Sequence, residues 1–152
     1  MRVIESPAHV RNHVGTTFGP GAWTTVTQDM IDRFADVTGD HQWIHVDVER
    51  AAREMPGGRT IAHGFLSLAL ISHLAAELVT VDKVGRAINY GSDKVRFLNP
   101  VPSGGRVRLT RTIKIADPLP DGGVRVVSDC VLELEGADKP ALVADLIVLL
   151  FP

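Results

Sequence analysis

Residues 34–47, FADVTGDHQWIHVD, include the side chains best suited to proton transfer. Four titratable residues stand within eight positions of this segment: Asp40, His41, His45 and Asp47. Trp43 and Ile44 lie among them, which favours a segment that turns toward the protein interior. Apolar surroundings move the pKa values of carboxylates and imidazoles toward those useful in acid–base catalysis.

These residues support three interpretations. In the first, Asp47 caps a following helix and His41 is a hydrogen-bonded histidine with a purely structural role. In the second, Asp40, His41 and His45, with Asp47 as a further ligand, hold a metal ion, although adjacent residues rarely point at one ion. In the third, Asp40 and His45 form an acid–base pair that holds one water molecule. The local sequence leaves all three open.

A second motif, Ile61-Ala62-His63-Gly64, directly precedes the longest apolar segment. Glycine is useful where a backbone N–H must approach another group closely. The first N–H groups of a helix have no internal partner and lie at the positive end of its dipole. At Gly64 they would stabilise an oxygen that gains negative charge, as in an oxyanion hole. The alternative is that Gly64 only lets the helix start beside a strand.

The sequence predicts four helices around these motifs. Three are short. The first begins at Ser6 and Pro7 and ends near Gly15. The second covers residues 28–37, with Thr27 as its cap and Gly39 at its end, and the third covers 48–54, with Asp47 as its cap. The fourth, residues 64–79, is apolar on nearly every face, so we expect it to be buried on all sides. In a chain of this size, only a sheet wrapped around that helix offers enough apolar surface.

Strands are predicted for residues 23–26, 86–90, 94–97, 106–115, 124–134 and 141–151, which are rich in β-branched and other apolar residues. Several alternate polar and apolar positions, as in RVRLTRTIKI. Glycines in 121–123 and 136–138 predict hairpin turns. A first strand, then helices, then a run of strands is typical of the α+β class, here an antiparallel sheet curled around one buried helix.

Length and composition limit the possible functions. The 152 residues suit a single domain over 1–152. A net charge of −2 gives no basic excess, which argues against partners such as nucleic acid or an anionic membrane. The single cysteine, Cys130, excludes an internal disulfide and is predicted to be a small core residue. The sequence has no signal-peptide pattern and no apolar run of the roughly 20 residues that a membrane span needs, so we expect a cytoplasmic protein.

The two motifs together resemble those of the MaoC-like (R)-specific enoyl-CoA hydratases, which have the hot-dog fold. Gly39, Asp40 and His45 match the family's Gly-Asp-x-x-x-x-His pattern, and residues 62–64 match its Ala-His-Gly. Residues 89–107, NYGSDKVRFLNPVPSGGRV, are similar to a strand–turn–strand segment of the family. Many members have Asn-Pro where this chain has Gln42-Trp43, but one subgroup shares Gln-Trp. The resemblance extends over most of the chain from Trp23 onward.

The resemblance implies a function and a set of site residues. The reaction would hydrate trans-2-enoyl-CoA to the (R)-3-hydroxyacyl thioester, and reverse it, with no metal or redox cofactor. Asp40 and His45 would hold the water, while the N–H of Gly64 would polarise the thioester carbonyl. The thioester end of a substrate tunnel would be lined by Ile61, Ala62, His63, Gly64, Ala87, Ile88, Asn89 and Tyr90. Ser72, about two turns beyond Gly64, matches a family serine that supports the aspartate, although it could instead bond within its own helix. A homodimer is implied, in which edge strands of two sheets pair.

Three alternatives remain at this point. The same chemistry could act on thioesters of acyl carrier protein rather than of CoA. A thioesterase on the same fold would need a carboxylate on the central helix, where only Glu77 is present, more than three turns from Gly64. A non-catalytic acyl-thioester binding module would be expected to lack the Asp40 and His45 pair.

Overall fold

The computed structural model describes residues 2–152. The first elements are β1 Arg2–Ile4, a 3-10 helix Pro7–His13, β2 Thr17–Phe18 and β3 Thr24–Thr25. The α-helices that follow are α1 Gln28–Thr38, α2 Trp43–Val46, α3 Val48–Glu54 and α4 Gly64–Leu78. The remaining strands are β4 Val79–Val81, β5 Arg86–Phe97, β6 Arg106–Pro118, β7 Val124–Leu134 and β8 Leu142–Phe151.

An antiparallel sheet in the order β2-β6-β7-β8-β5 forms the main layer, and β3 also pairs with β6. Helix α4 lies against one face of it. Its Ile71 and Leu74 are buried in a cluster that includes Leu109, Leu132 and Leu142 from the three central strands. A second apolar cluster, around Ile4, Val10, Phe18, Val79, Ile113, Val124 and Val126, fills the other end of the same layer. The predicted α+β architecture with an antiparallel sheet is therefore confirmed.

Side-chain caps determine where α1 and α3 begin, as predicted. The Thr27 hydroxyl accepts a hydrogen bond from the backbone N–H of Met30 at 3.3 Å, and an Asp47 carboxylate oxygen accepts one from Arg50 at 2.9 Å. Gly39 ends α1 in the left-handed conformation with φ 77°, which glycine adopts without steric cost. The chain therefore turns sharply at Gly39 and presents Asp40 directly after the helix.

Three predicted elements differ in the structure. The first helix is of the 3-10 type, and the Ser6 hydroxyl bonds to His9 Nδ1 at 2.7 Å instead of capping it. The two strands predicted for 86–90 and 94–97 are one strand, β5, because irregularities near Tyr90 and at Lys94, where φ is 53°, interrupt the pairing without ending it. The strand predicted for 23–26 is reduced to Thr24–Thr25.

The prediction that the apolar central helix is buried on all sides is wrong for the single chain. The sheet covers one side of α4, while a stripe on the opposite side is exposed, including Phe65 at 68%. Strand β5 beside it is also exposed along nearly its whole length. One sheet has only one face to offer a helix, so the opposite face of α4 stays uncovered within one chain.

Two smaller expectations can be compared directly with the structure. Cys130 is a free thiol that is 1% exposed, which confirms the predicted core position. Over residues 2–152, no helix combines the length and the apolar character that crossing a bilayer would require.

Candidate active site

His45 lies in the short helix α2 and is 7% exposed. Its Nδ1 is 2.6 Å from the carbonyl oxygen of Ile61. A carbonyl only accepts, so Nδ1 carries the proton and donates it, and Nε2 is left for chemistry. Gln28 holds α2 from the other side, because its amide donates to the His45 carbonyl at 2.8 Å. The imidazole is therefore fixed in orientation and in tautomer.

Asp40 is held by its backbone and leaves its carboxylate accessible. The side chain is 56% exposed, and its Oδ1 accepts a long hydrogen bond of 3.4 Å from the N–H of Gln42. Its carbonyl oxygen accepts a hydrogen bond of 2.9 Å from His63 Nε2, which also lies 4.0 Å from Asp40 Oδ2. A carboxylate with so few protein partners retains lone pairs for a water molecule or a substrate.

His63 connects these two residues. Its ring stacks on that of His45, with the centroids 3.8 Å apart and the planes inclined by 25°. It is 3% exposed, and Phe34 packs against it with the centroids 5.0 Å apart. Polar atoms of Asp40, His45 and His63 all lie within 4.8 Å of one another. Residues that are 23 positions apart in the sequence thus form one polar cluster at the end of α1.

Gly64 begins α4 immediately beside this cluster. Within residues 2–152 its N–H has no acceptor, and no side chain caps the helix start. A Cβ atom added at Gly64 would come within 3.0 Å of the Phe97 ring. Both of the roles considered for this glycine are therefore compatible with the structure: it leaves a free N–H at a helix N-terminus, and it lets a strand approach closely.

A cavity of about 280 Å³ lies between His45 and the start of α4. His45 and Gly64 both line it, together with Ile61 and Ala62. His63 is not in the lining, because its ring lies behind that of His45. The structure adds Ser67, which is 5% exposed and borders the cavity one turn beyond Gly64. In the sequence, only its position three residues after Gly64, on the same face of the helix, indicates that Ser67 could border this cavity.

Comparison with known proteins identifies the family. The family model described as "MaoC like domain" matches residues 9–115. The chain is a member of the MaoC-like family. It is 49% identical over 148 residues to 3-hydroxyacyl-thioester dehydratase Z of Mycobacterium tuberculosis, with 97% of each chain covered. These matches agree with the resemblance of the two sequence motifs.

Solved structures give the same result for the fold. A protein of Archaeoglobus, described as a monoamine oxidase regulatory protein, superposes with a TM-score of 0.76 at 24% identity and covers 99% of this chain and 98% of its own. An R-hydratase of Pseudomonas aeruginosa has a TM-score of 0.65 at 26% identity, covering 89% of this chain and 79% of its own. This MaoC-like protein therefore has the hot-dog fold.

The four-residue metal arrangement considered from the sequence is not assembled in this MaoC-like protein. His41 is exposed and its Nε2 bonds to Asp36 at 2.9 Å, a contact that raises the pKa of His41. Asp47 is occupied as the cap of α3. These two residues therefore have structural partners, and His63 takes the place beside Asp40 and His45 that the sequence interpretation gave to His41.

The residues expected from β5 lie elsewhere within one chain. Ala87 and Asn89 line a second cavity near the C-terminal half of α4, and not the one at Gly64. Ile88 and Tyr90 are 43% and 66% exposed and line neither cavity. The end of β5 that borders the Gly64 cavity is Phe97. Within one chain, residues 87–90 lie away from the Gly64 cavity, because β5 runs along α4 and brings its other end to Gly64. Their place at the thioester end stays a prediction.

Ser72 also lies in the second cavity. Its described side-chain contact is with Asn89, whose Nδ2 is 3.5 Å from the Ser72 hydroxyl. It is about 12 Å along the helix from Gly64, since Ser72 is eight positions further along the chain. Contact with Asp40 is absent within the described residues of one chain, so support of Asp40 by Ser72 stays a prediction.

Proposed function

We propose that this protein hydrates trans-2-enoyl-CoA to (R)-3-hydroxyacyl-CoA and catalyses the reverse dehydration. The single observation that carries the proposal is the grouping of Asp40, His45 and the Gly64 N–H. The first two lie within 4.8 Å of each other, and His45 and Gly64 line one cavity. The relative from M. tuberculosis is named a 3-hydroxyacyl-thioester dehydratase, and the similar structure from P. aeruginosa is named an R-hydratase. Both names support this choice of reaction.

In the proposed mechanism, a water molecule lies between the Asp40 carboxylate and His45 Nε2. Its oxygen bonds to C3 of the enoyl group while one of these two residues takes its proton. The other enters the step protonated and delivers that proton to C2, so that a C–O and a C–H bond replace the double bond and the pair as a whole keeps one proton. Negative charge that develops on the thioester oxygen is stabilised by the N–H of Gly64 and by the positive end of the α4 dipole. The division into acid and base is left open, since a coupled pair titrates as a unit.

The main test follows the ultraviolet absorbance of the conjugated enoyl thioester. Asp40→Asn and His45→Gln should each lower hydration by on the order of 10² or more, because each removes a group that transfers a proton. His41→Gln is the matched control, since this neighbouring histidine lies outside the cluster and should leave the rate unchanged. Full activity of both site variants would refute the proposed pair, and chiral analysis of the product checks the (R) configuration.

Acyl carrier protein is the second candidate carrier. The name of the M. tuberculosis relative specifies a thioester and no carrier. Turnover of one acyl chain on CoA and on carrier protein therefore belongs in the same experiment. A thioesterase is less consistent with the structure, because Glu77 is exposed and pairs with His73 at 3.4 Å near the far end of α4.

We further propose a homodimer. The edge strand β5 is exposed, and so is the outward stripe of α4 that contains Phe65, which contacts Phe97 of β5 edge to face. An unpaired strand edge beside apolar side chains is a surface that proteins normally cover. Pairing of two β5 edges would cover it, and would bring residues 87–90 of one chain close to the other.

A further inference from the structure

Arg111 of β6 projects into the apolar layer between the sheet and α4. Strand positions two residues apart share a face, and Val107, Leu109 and Ile113 on the face of Arg111 are all 0–1% exposed. Leu109 belongs to one of the two apolar clusters and Ile113 to the other. Arg111 thus places a guanidinium between them, opposite Cys130 of β7.

Among residues 2–152 this guanidinium has no carboxylate partner, unlike the other cations of the same strand. Arg106 pairs with Glu135, Arg108 with Glu133, and Lys114 with Asp145, all on the other face. Arg111 donates one hydrogen bond, from Nε to the Ser128 hydroxyl at 2.9 Å. Its remaining four N–H donors have no acceptor within residues 2–152. Loss of solvation at this position lowers the pKa of Arg111.

Arg111 lines a cavity of about 430 Å³ between α4 and the strands β5 and β8. Its walls are mostly apolar, with Ile71, Ala75, Leu146 and Val148 among them. Among the described residues, the polar side chains that line this cavity besides Arg111 are those of Ser72, Thr80 and Asn89. Arg111 is half-buried, and a cation drawn away from water is costly unless it is paired, so this cavity is suited to a ligand that brings an anion into an apolar setting.

The same face of α4 borders this cavity and the catalytic one. Gly64 and Ser67 line the catalytic cavity, and Ile71 and Ala75 line the Arg111 cavity; these four residues are positions 0, 3, 7 and 11 of one helical face. The distance from Gly64 to the level of Ser72 is about 12 Å. An extended chain of roughly ten carbon atoms, with bonds of about 1.5 Å, covers that distance.

We infer that the enzyme acts on acyl thioesters whose distal end carries a carboxylate, which Arg111 binds. This inference rests on the proposed function, because the thioester must be held at Gly64 for its far end to reach Arg111. The aliphatic part of the chain lies against the apolar walls, and its carboxylate accepts two N–H bonds from the guanidinium fork. A small inorganic anion would leave the apolar walls uncovered, which is why the ligand must be amphiphilic.

The kinetic test compares two enoyl-CoA substrates of equal length, trans-2-dodecenoyl-CoA and its analogue with a terminal carboxylate. Wild type should show a higher kcat/KM for the carboxylate form. Arg111→Met should lower the kcat/KM for the carboxylate form by on the order of 10- to 100-fold, because a charge-assisted hydrogen bond is lost. The kcat/KM for the plain substrate should not fall in this variant. Arg111→Lys should recover part of the preference. Arg108→Met is the control, since Arg108 is on the opposite face of the same strand.

A binding test separates failure of this inference from failure of the proposed reaction. Dodecanoyl-CoA and its terminal carboxylate analogue are saturated, so calorimetric titration measures their affinity without turnover. Tighter binding of the carboxylate form by wild type, lost in Arg111→Met, supports the site even if neither enoyl substrate is hydrated. If plain dodecenoyl-CoA is hydrated but neither experiment shows a preference that depends on Arg111, the inference is wrong. Circular dichroism of each variant confirms that it is folded.

Discussion

The rings of His45 and His63 stack with their centroids 3.8 Å apart, and His63 Nε2 bonds to the carbonyl of Asp40 at 2.9 Å. One buried side chain therefore contacts both members of the proposed acid–base pair without lining the cavity itself. Displacement of a reacting group by even about 1 Å is costly in catalysis. The stacking thus gives His63 a positioning role that can be separated from its contribution to packing.

His63→Phe keeps a ring against His45 but removes the N–H that holds Asp40. We expect kcat to fall roughly 10-fold or more with little change in KM, because substrate contacts are retained while the pair is displaced. The pH–rate profile should change as well, since Asp40 loses the imidazole beside it while His45 keeps an aromatic ring. Steady-state kinetics over a range of pH measures both effects. An unchanged profile, with activity lost only in proportion to unfolded protein, would mean that His63 is merely structural.

Two properties of Gly64 can be tested separately: its free backbone N–H, and the absence of a Cβ, which lets Phe97 approach closely. Gly64→Ala brings a Cβ within 3.0 Å of Phe97, so we expect reduced kcat/KM and reduced stability. Phe97→Leu in the same chain should restore both, because it removes the obstructing ring. Kinetics and thermal unfolding of the single and double variants measure the recovery. If the second substitution restores nothing, the close approach to Phe97 is not the reason for glycine here.

Gly64→Pro in the Phe97→Leu background then removes the N–H itself. Proline is tolerated at the first position of a helix, and His63, with φ −58° and ψ 138°, already has the backbone conformation required before proline. We expect kcat to fall by on the order of 10² to 10³ relative to the chain that carries Gly64→Ala with Phe97→Leu, as when an oxyanion donor is lost. Equal activity of the two double variants would exclude this N–H from catalysis.

Local patterns predicted much of this molecule, since caps and glycine stops depend on neighbouring residues. Thr27, Gly39 and Asp47 act as expected, and together they place Asp40 and His45. The pairing of His63 with His45 connects distant segments, so no local pattern could predict it. The role of Arg111 is different. Its signal was present, because Arg111 shares the face of Leu109 and Ile113 in the alternating strand, but the alternation alone does not tell which polar side chains turn inward.

The exposed edge of β5 can be tested by charge insertion. Ile88→Lys combined with Tyr90→Lys places two cations on a strand that the proposed dimer would pair with itself. We expect wild type to sediment as a dimer and the double variant as a monomer, with lower activity if the second chain contributes to the site. Val37→Lys is the control, since this residue on α1 is 86% exposed. Sedimentation of wild type as a monomer at micromolar concentration would contradict the dimer.

We expect ionisation of the Cys130 thiol to lower the free energy of unfolding at alkaline pH. Burial raises the pKa of its thiol from 9.0 to about 11, with Arg111 opposing the shift. The folded state therefore retains a proton that the unfolded state loses first, so the stabilisation is complete below about pH 9 and is lost as the pH rises to about 11. The full size of this stabilisation is at most on the order of 2 to 3 kcal/mol.

Urea unfolding of wild type and Cys130→Ala at several pH values measures this stabilisation. The free energy of unfolding should fall more steeply above about pH 9 in wild type than in the variant, whereas parallel curves would mean that this thiol ionises as readily when folded as when unfolded.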